Sequence, residues 1–147
     1  MERTQYDRLS DDDRRLMDAA RTAAETAYAP YSGVQVGAAL MTEEGPITAS
    51  NVENGAYGST LCAERMAVGR ANARGLRSYP VVAIAATGDR LHVGRPVTPC
   101  GACRQVLHEM ARSTETETRV LMATPDSDEV TIATLDELLP LPFDPLG

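Results

Sequence analysis

The longest uninterrupted apolar run of the chain is Val81-Val82-Ala83-Ile84-Ala85-Ala86, and it does not alternate with polar residues. A strand of this kind is buried on both faces and requires packed layers above and below it. The flanking sequence supplies them. Ser10-Asp11-Asp12-Asp13 reads as a helix start, a serine cap with acids in the first turn, followed by Leu16, Ala20, Ala23, Ala24 and Ala27 on one face and a stop before Pro30. Val36, Ala38 and Leu40 then alternate with Gln35, Gly37 and Ala39. A turn at Glu43-Glu44-Gly45-Pro46 leads into a second extended run, Ile47 to Val52, which predicts a hairpin. Helices are expected from Leu61 to Asn72, ending near Gly75, and from Cys100 to about Arg112. Strands are expected at Arg119–Ala123 and Val130–Ala133, joined by a turn from Pro125 to Asp128, with a short helix at Leu135–Leu139. Thr87–Thr98 and Arg112–Arg119 read as loops. The sum is an α/β chain, a central sheet covered by helices.

With 147 residues the chain predicts a single domain spanning 1–147, with flexible ends at 1–10 and 146–147. It has no Trp and a single Phe, Phe143, so the core must be built from Ala, Val, Leu, Ile and Met with tyrosine. The formal net charge is -7, and all 14 basic residues are arginines scattered along the chain. Nucleic-acid binding draws on clustered cations, so this distribution argues against a DNA or RNA substrate and fits a small uncharged one. The first fifteen residues lack the apolar core of a signal peptide, and no run is long enough to span a membrane. Three cysteines without an export signal fit reduced thiols, and the cytoplasm is the expected compartment.

All three cysteines fall in two cassettes, Cys62-Ala63-Glu64-Arg65 and Pro99-Cys100-Gly101-Ala102-Cys103-Arg104-Gln105. Cys100 and Cys103 share one side of a predicted first helical turn, where the positive end of the helix favours thiolates. That pair alone is ambiguous, because a thioredoxin-like dithiol reads the same way. Cys62 with Glu64 shifts the balance to metal. Structural zinc takes four protein ligands, whereas catalytic zinc takes three and keeps a position for water or substrate. Three sulfurs plus an acid fit the catalytic case, with Glu64 two residues beyond a ligand as proton shuttle. Three thiolates leave a zinc site with a net negative charge, and Arg65 is the natural compensator, with Arg104 as a lesser candidate. His92 and His108 are not needed as ligands. A structural zinc module and a dithiol redox protein remain as rivals.

Zinc deaminases combine Cys₃ or His/Cys/Cys ligation, a glutamate that is not a ligand, and a later Pro-Cys-x-x-Cys. The chain resembles the small, homotetrameric cytidine deaminases through Tyr28-Ala29-Pro30-Tyr31-Ser32, Val36-Gly37-Ala38-Ala39, Asn51-Val52-Glu53-Asn54 and the two cysteine cassettes, over about Arg21 to Pro145. The resemblance implies a three-layer α/β/α sandwich with a mixed five-stranded central sheet. It also implies one zinc ion per subunit, held by Cys62, Cys100 and Cys103, and hydrolysis of cytidine and deoxycytidine in pyrimidine salvage. By the same resemblance Asn51 and Glu53 match the ribose-holding positions, the Ala63 N–H the donor to the pyrimidine 2-oxo group, and the Thr98 carbonyl the group facing the departing amine. Tyr57 and Phe143 match residues that complete a neighbouring subunit's site. Val34 stands where the family usually carries an aromatic against the base, and Asp144 where glycine is common. A deaminase of a modified cytosine nucleoside, of the blasticidin S type, is the rival within the enzyme class.

Overall fold

The computed structural model describes residues 1–145, so the expectation for 146–147 lies outside the described residues. Side chains along Val81–Thr87, the strand β4, divide between two faces as the pleat demands. Val82 and Ile84 face one way and join Ala38, Leu40, Val120, Met122 and Ala133. Ala83 and Ala85 face the other way, with Ala39, Leu121, Ala123 and Val130. Helix α1, Asp11–Ala24, covers the second face through Leu16, Met17 and Ala20. Helices α2, Ala63–Ala73, and α3, Gly101–Ser113, cover the first through Ala63, Ala67, Ala71 and Leu107, joined by the short α4, Leu135–Leu138. Each fully buried leucine or isoleucine of these layers, such as Leu16, Leu40, Ile84 or Leu121, contributes about 1.5–3 kcal/mol relative to exposure. The result is the expected three-layer α/β/α sandwich.

The remaining strands are β1 (Glu2–Gln5), β2 (Gln35–Thr42), β3 (Gly45–Ser50), β5 (Arg119–Ala123) and β6 (Glu129–Thr134). Their order is β1-β6-β5-β4-β2-β3, with β4 and β5 parallel and every other pair antiparallel. The sheet therefore has six strands rather than five. The extra one comes from the segment expected to be a loose end: Glu2 to Gln5 pair with Ile132 to Glu129 on the sheet's edge. Its residues are all polar and carry no hydrophobic alternation; backbone pairing, an Arg3–Glu129 ion pair at 3.6 Å, the Tyr6 N–H to Asp128 carbonyl bond and the ion pair of the N-terminal ammonium with Glu137 hold it.

Two boundaries shift in a way that matters for the site. The run expected to stay extended through Val52 leaves the sheet after Ser50. Val52 and Leu61 then exchange reciprocal N–H to carbonyl bonds at 2.9 Å, so α2 starts at Ala63 rather than at Leu61. Helix α1 likewise ends at Ala24, and its last turns press on β2. A Cβ at Gly37 would lie 1.9 Å from the Ala20 carbonyl oxygen and 2.6 Å from the Ala24 nitrogen, which leaves glycine as the residue that fits.

Candidate metal centre and active site

Both cysteine cassettes end up at helix starts on the same side of the sheet. Cys62 is the N-cap of α2 and Cys100 the N-cap of α3, each in extended conformation, with Cys103 in the first turn of α3. The sulfurs of Cys62 and Cys100 are 4.0 Å apart and those of Cys100 and Cys103 3.4 Å apart, and all three lie within 4.8 Å of one another. Tetrahedral zinc with Zn–S bonds of about 2.3 Å needs sulfurs about 3.8 Å apart. The cluster fits zinc, and a dithiol would have no use for the third sulfur. Cys103 is fully buried while Cys100 is exposed, so the cluster is closed on the core side and open towards solvent. Burial, then the nearby Glu64 carboxyl, push the Cys103 thiol far up. For Cys100 burial also acts upward, but the amide of Cys103 and the two neighbouring thiols more than offset it, and the net direction is down. A divalent cation relieves this crowding, because a coordinated thiol ionises outright.

Glu64 follows Ala63 into the first turn of α2 and is 5% exposed. Burial raises its carboxyl above the ordinary range, opposed by its own amide, the Cys103 thiol and Arg65. A carboxyl raised in this way holds a proton more readily than an ordinary one, which suits a group that both takes and gives it. Arg65 donates through Nη2 to the Thr60 carbonyl at 2.9 Å and to the Cys62 sulfur at 3.8 Å, while its Nε is buried without a partner among the described residues. Arg104, the lesser candidate, turns away from the sulfurs. Its Nε bonds the Pro99 carbonyl and its Nη1 the Leu138 carbonyl, both at 2.8 Å, which fastens the approach to Cys100 to the end of α4.

The Val52–Leu61 bridge carries Asn51 and Glu53 to the entrance of α2. Both side chains clasp the loop before β2. Asn51 Oδ1 accepts from the Val36 N–H at 2.8 Å and its Nδ2 donates to the Val34 carbonyl at 2.9 Å. Glu53 accepts from the N–H groups of Tyr31 at 2.8 Å and Ser32 at 3.2 Å, and from the Ser32 hydroxyl. The Ser32 hydroxyl is the main cause that holds the Glu53 carboxyl below its ordinary value. Asn51 thus keeps one amide hydrogen, and Glu53 its outer lone pairs, for a ligand. Glu53, Tyr57, Thr60 and Arg90 line a cavity of about 240 Å³.

Val34 is half-buried, its N–H bonded to the Ser32 hydroxyl at 3.0 Å. The Ala63 N–H opens α2, where a helix leaves its first amides without an internal acceptor. Thr98 is exposed, one residue before the buried Pro99 that precedes Cys100. Tyr57 and Phe143 are 75% and 74% exposed. Ser32 and Gln105 were not singled out from the sequence. Ser32 is revealed by its bonds to Glu53, and Gln105 by its two bonds to the Phe143 backbone. Both positions lie within quoted motifs, where the only signal was adjacency.

Comparison with known proteins agrees with this geometry. Residues 10–116 match the model of the cytidine and deoxycytidylate deaminase zinc-binding region. A cytidine deaminase of Halalkalibacterium halodurans is 45% identical over 133 residues, covering 90% of this chain and 94% of that protein. The crystal structure of cytidine deaminase from Burkholderia pseudomallei superposes with a TM-score of 0.78 at 37% identity, over 92% of this chain and 100% of that one. That of the Mycobacterium tuberculosis enzyme gives 0.70 at 34% identity, over 92% and 99%. Three sulfurs at zinc spacing beside a buried carboxyl, on a mixed sheet that these structures share, place the chain in the cytidine and deoxycytidylate deaminase family.

Proposed function

We propose that the chain hydrolyses cytidine and deoxycytidine to uridine and deoxyuridine with release of ammonia. The observation that carries this reading is the Glu64 carboxyl, buried beside three sulfurs spaced for zinc. Zinc held by Cys62, Cys100 and Cys103 supplies the Lewis acidity that makes a water nucleophilic near neutrality. Glu64 takes one proton of the attacking water and places it on ring N3, then takes the proton left on the new C4 hydroxyl and delivers it to the departing 4-amino group. The water oxygen becomes the 4-oxo group, and ammonia carries off the amine. The Ala63 N–H orients the 2-oxo group, the Thr98 carbonyl faces the leaving amine, and Asn51 and Glu53 hold the ribose hydroxyls. Arg65 withdraws charge from the Cys62 sulfur.

A homotetramer with shared sites is part of the same reading. It is supported by the exposed rings of Tyr28, Tyr31, Tyr57 and Phe143, which a lone subunit leaves in water. Residues 1–147 act as one catalytic unit on a free nucleoside, in pyrimidine salvage in the cytoplasm, without nucleic-acid or membrane partners. Among the described residues no helix is long and apolar enough to cross a membrane. A modified-cytosine substrate is not favoured, since the relatives are named for cytidine. The test is the fall in cytidine absorbance on adding zinc-loaded protein. Turnover of cytidine is expected, and its absence with zinc fully bound would sink the reading.

A further inference from the structure

The helix that presents Cys100 and Cys103 in its first turn grips the C-terminal segment with its next turns. Gln105 Nε2 donates to the Phe143 carbonyl at 2.7 Å, and Gln105 Oε1 accepts from the Phe143 N–H at 3.1 Å. Three residues on, His108 is 6% exposed, and its Nε2 is buried without a hydrogen bond among the described residues, 3.8 Å from Asp144 Oδ2. Four residues further, Arg112 Nε donates to the same oxygen at 2.9 Å. Spacings of three and four place Gln105, His108 and Arg112 on one stripe of α3. The backbone of Phe143 and the side chain of Asp144 are therefore fixed to a rigid element, while the Phe143 ring stays 74% exposed. Ordering of this kind serves a ring that meets something outside the chain.

We propose that Asp144, gripped by Arg112 and faced by His108, is a positioning residue that with Gln105 sets the Phe143 ring over the substrate site of a second copy of this chain. The proposal rests on the reading of Phe143 given above. Its physical basis is the charge-assisted bond to Arg112, strong in type but moderated because Arg112 is half-exposed. Because the stripe and the two cysteines share α3, the ring is held in register with its own chain's metal helix.

Steady-state kinetics on cytidine with the zinc-loaded enzyme decide the matter, using Phe143→Ala, Asp144→Ala, Asp144→Glu and the Phe143→Ala/Asp144→Ala double variant. Asp144→Ala is expected to raise KM about three- to tenfold with little change in kcat, and Asp144→Glu to recover most of the loss. The double variant should match Phe143→Ala alone, because a residue that acts through a ring has no effect once the ring is gone. If Asp144→Ala leaves KM unchanged while Phe143→Ala raises it, or if the two effects add in full, the positioning role is overturned. If Phe143→Ala itself leaves KM unchanged, the reading of Phe143 falls, and the proposal with it.

Discussion

Arg65 Nη2 donates to the Thr60 carbonyl at 2.9 Å and lies 3.8 Å from the Cys62 sulfur, so one guanidinium ties the loop before α2 to a metal ligand. Three thiolates around a divalent cation leave a formal charge of -1, and a donor on one sulfur draws some of it away. Arg65→Gln is expected to weaken zinc retention about 10- to 100-fold, the usual scale for groups that bond to metal ligands. Competition against a chelator measures it. Undiminished zinc affinity would show that the contact carries no charge compensation.

Glu64 supplies no sulfur and lies in the first turn of the helix that Cys62 caps. Glu64→Gln keeps the volume and the hydrogen-bonding reach but cannot shuttle a proton. It should bind one zinc per chain and lose about 10²- to 10⁴-fold in kcat. Metal analysis beside a turnover assay separates the roles, since loss of zinc in this variant would make Glu64 a ligand.

Much of this was legible in the sequence for identifiable reasons. The run Val81–Ala86 demanded layers on both sides and received them, and Cys62 and Cys100 fell at helix starts as their patterns required. What periodicity missed was held by backbone or by single polar groups. Glu2–Gln5 joins the sheet without an apolar residue, and Met17 is fully buried in α1 although the alanine stripe drew attention elsewhere. The clasp of Asn51 and Glu53 on residues 31–36 depends on Val52 pairing with Leu61, a bridge too short to leave a pattern. Arg104 looked like a charge near sulfur and proved to be a staple between Pro99 and Leu138.

The Glu53 clasp has a pH signature. Its carboxyl is held below the ordinary value of 4.5, chiefly by the Ser32 hydroxyl, so the folded state binds a proton less readily than the unfolded one. The stabilisation is therefore complete above the ordinary glutamate range and is lost as pH falls through the lowered folded value. Urea midpoints of the wild type and Glu53→Gln should differ near neutrality and converge in acid. A gap that widens on acidification would contradict the assignment.

Gly37 is where α1 comes closest to the sheet. An added methyl would overlap the Ala20 carbonyl at 1.9 Å, and that atom belongs to helix backbone rather than to a flexible side chain. Gly37→Ala must displace α1, at a cost of about 1–3 kcal/mol or more. Thermal unfolding should shift down by several degrees, about 2–4 °C per kcal/mol for a chain of this size. An unchanged Tm would mean that α1 sits further from β2 than the structure places it.

By the chain's resemblance to the cytidine deaminases, Val34 is expected to face the base at a position where an aromatic would stack. Its backbone is held from both sides, its N–H by the Ser32 hydroxyl and its carbonyl by Asn51 Nδ2, so a substitution changes the side chain without releasing the loop. Gly88, with its φ of 138°, packs closely against this backbone, where a Cβ would lie 2.6 Å from the Gly33 carbonyl oxygen and 3.1 Å from the Val34 Cα. An aromatic pair contributes about 0.5–1.5 kcal/mol beyond its buried area, which corresponds to about a two- to twelvefold change in binding. Val34→Phe is therefore expected to lower KM for cytidine by that factor while leaving Glu64 and the cysteines undisturbed, so kcat should hardly move. Initial rates across a range of cytidine concentrations give both parameters. A KM that stays level or rises would show that position 34 does not face the base, and the gap would then have to be filled from elsewhere around the pocket.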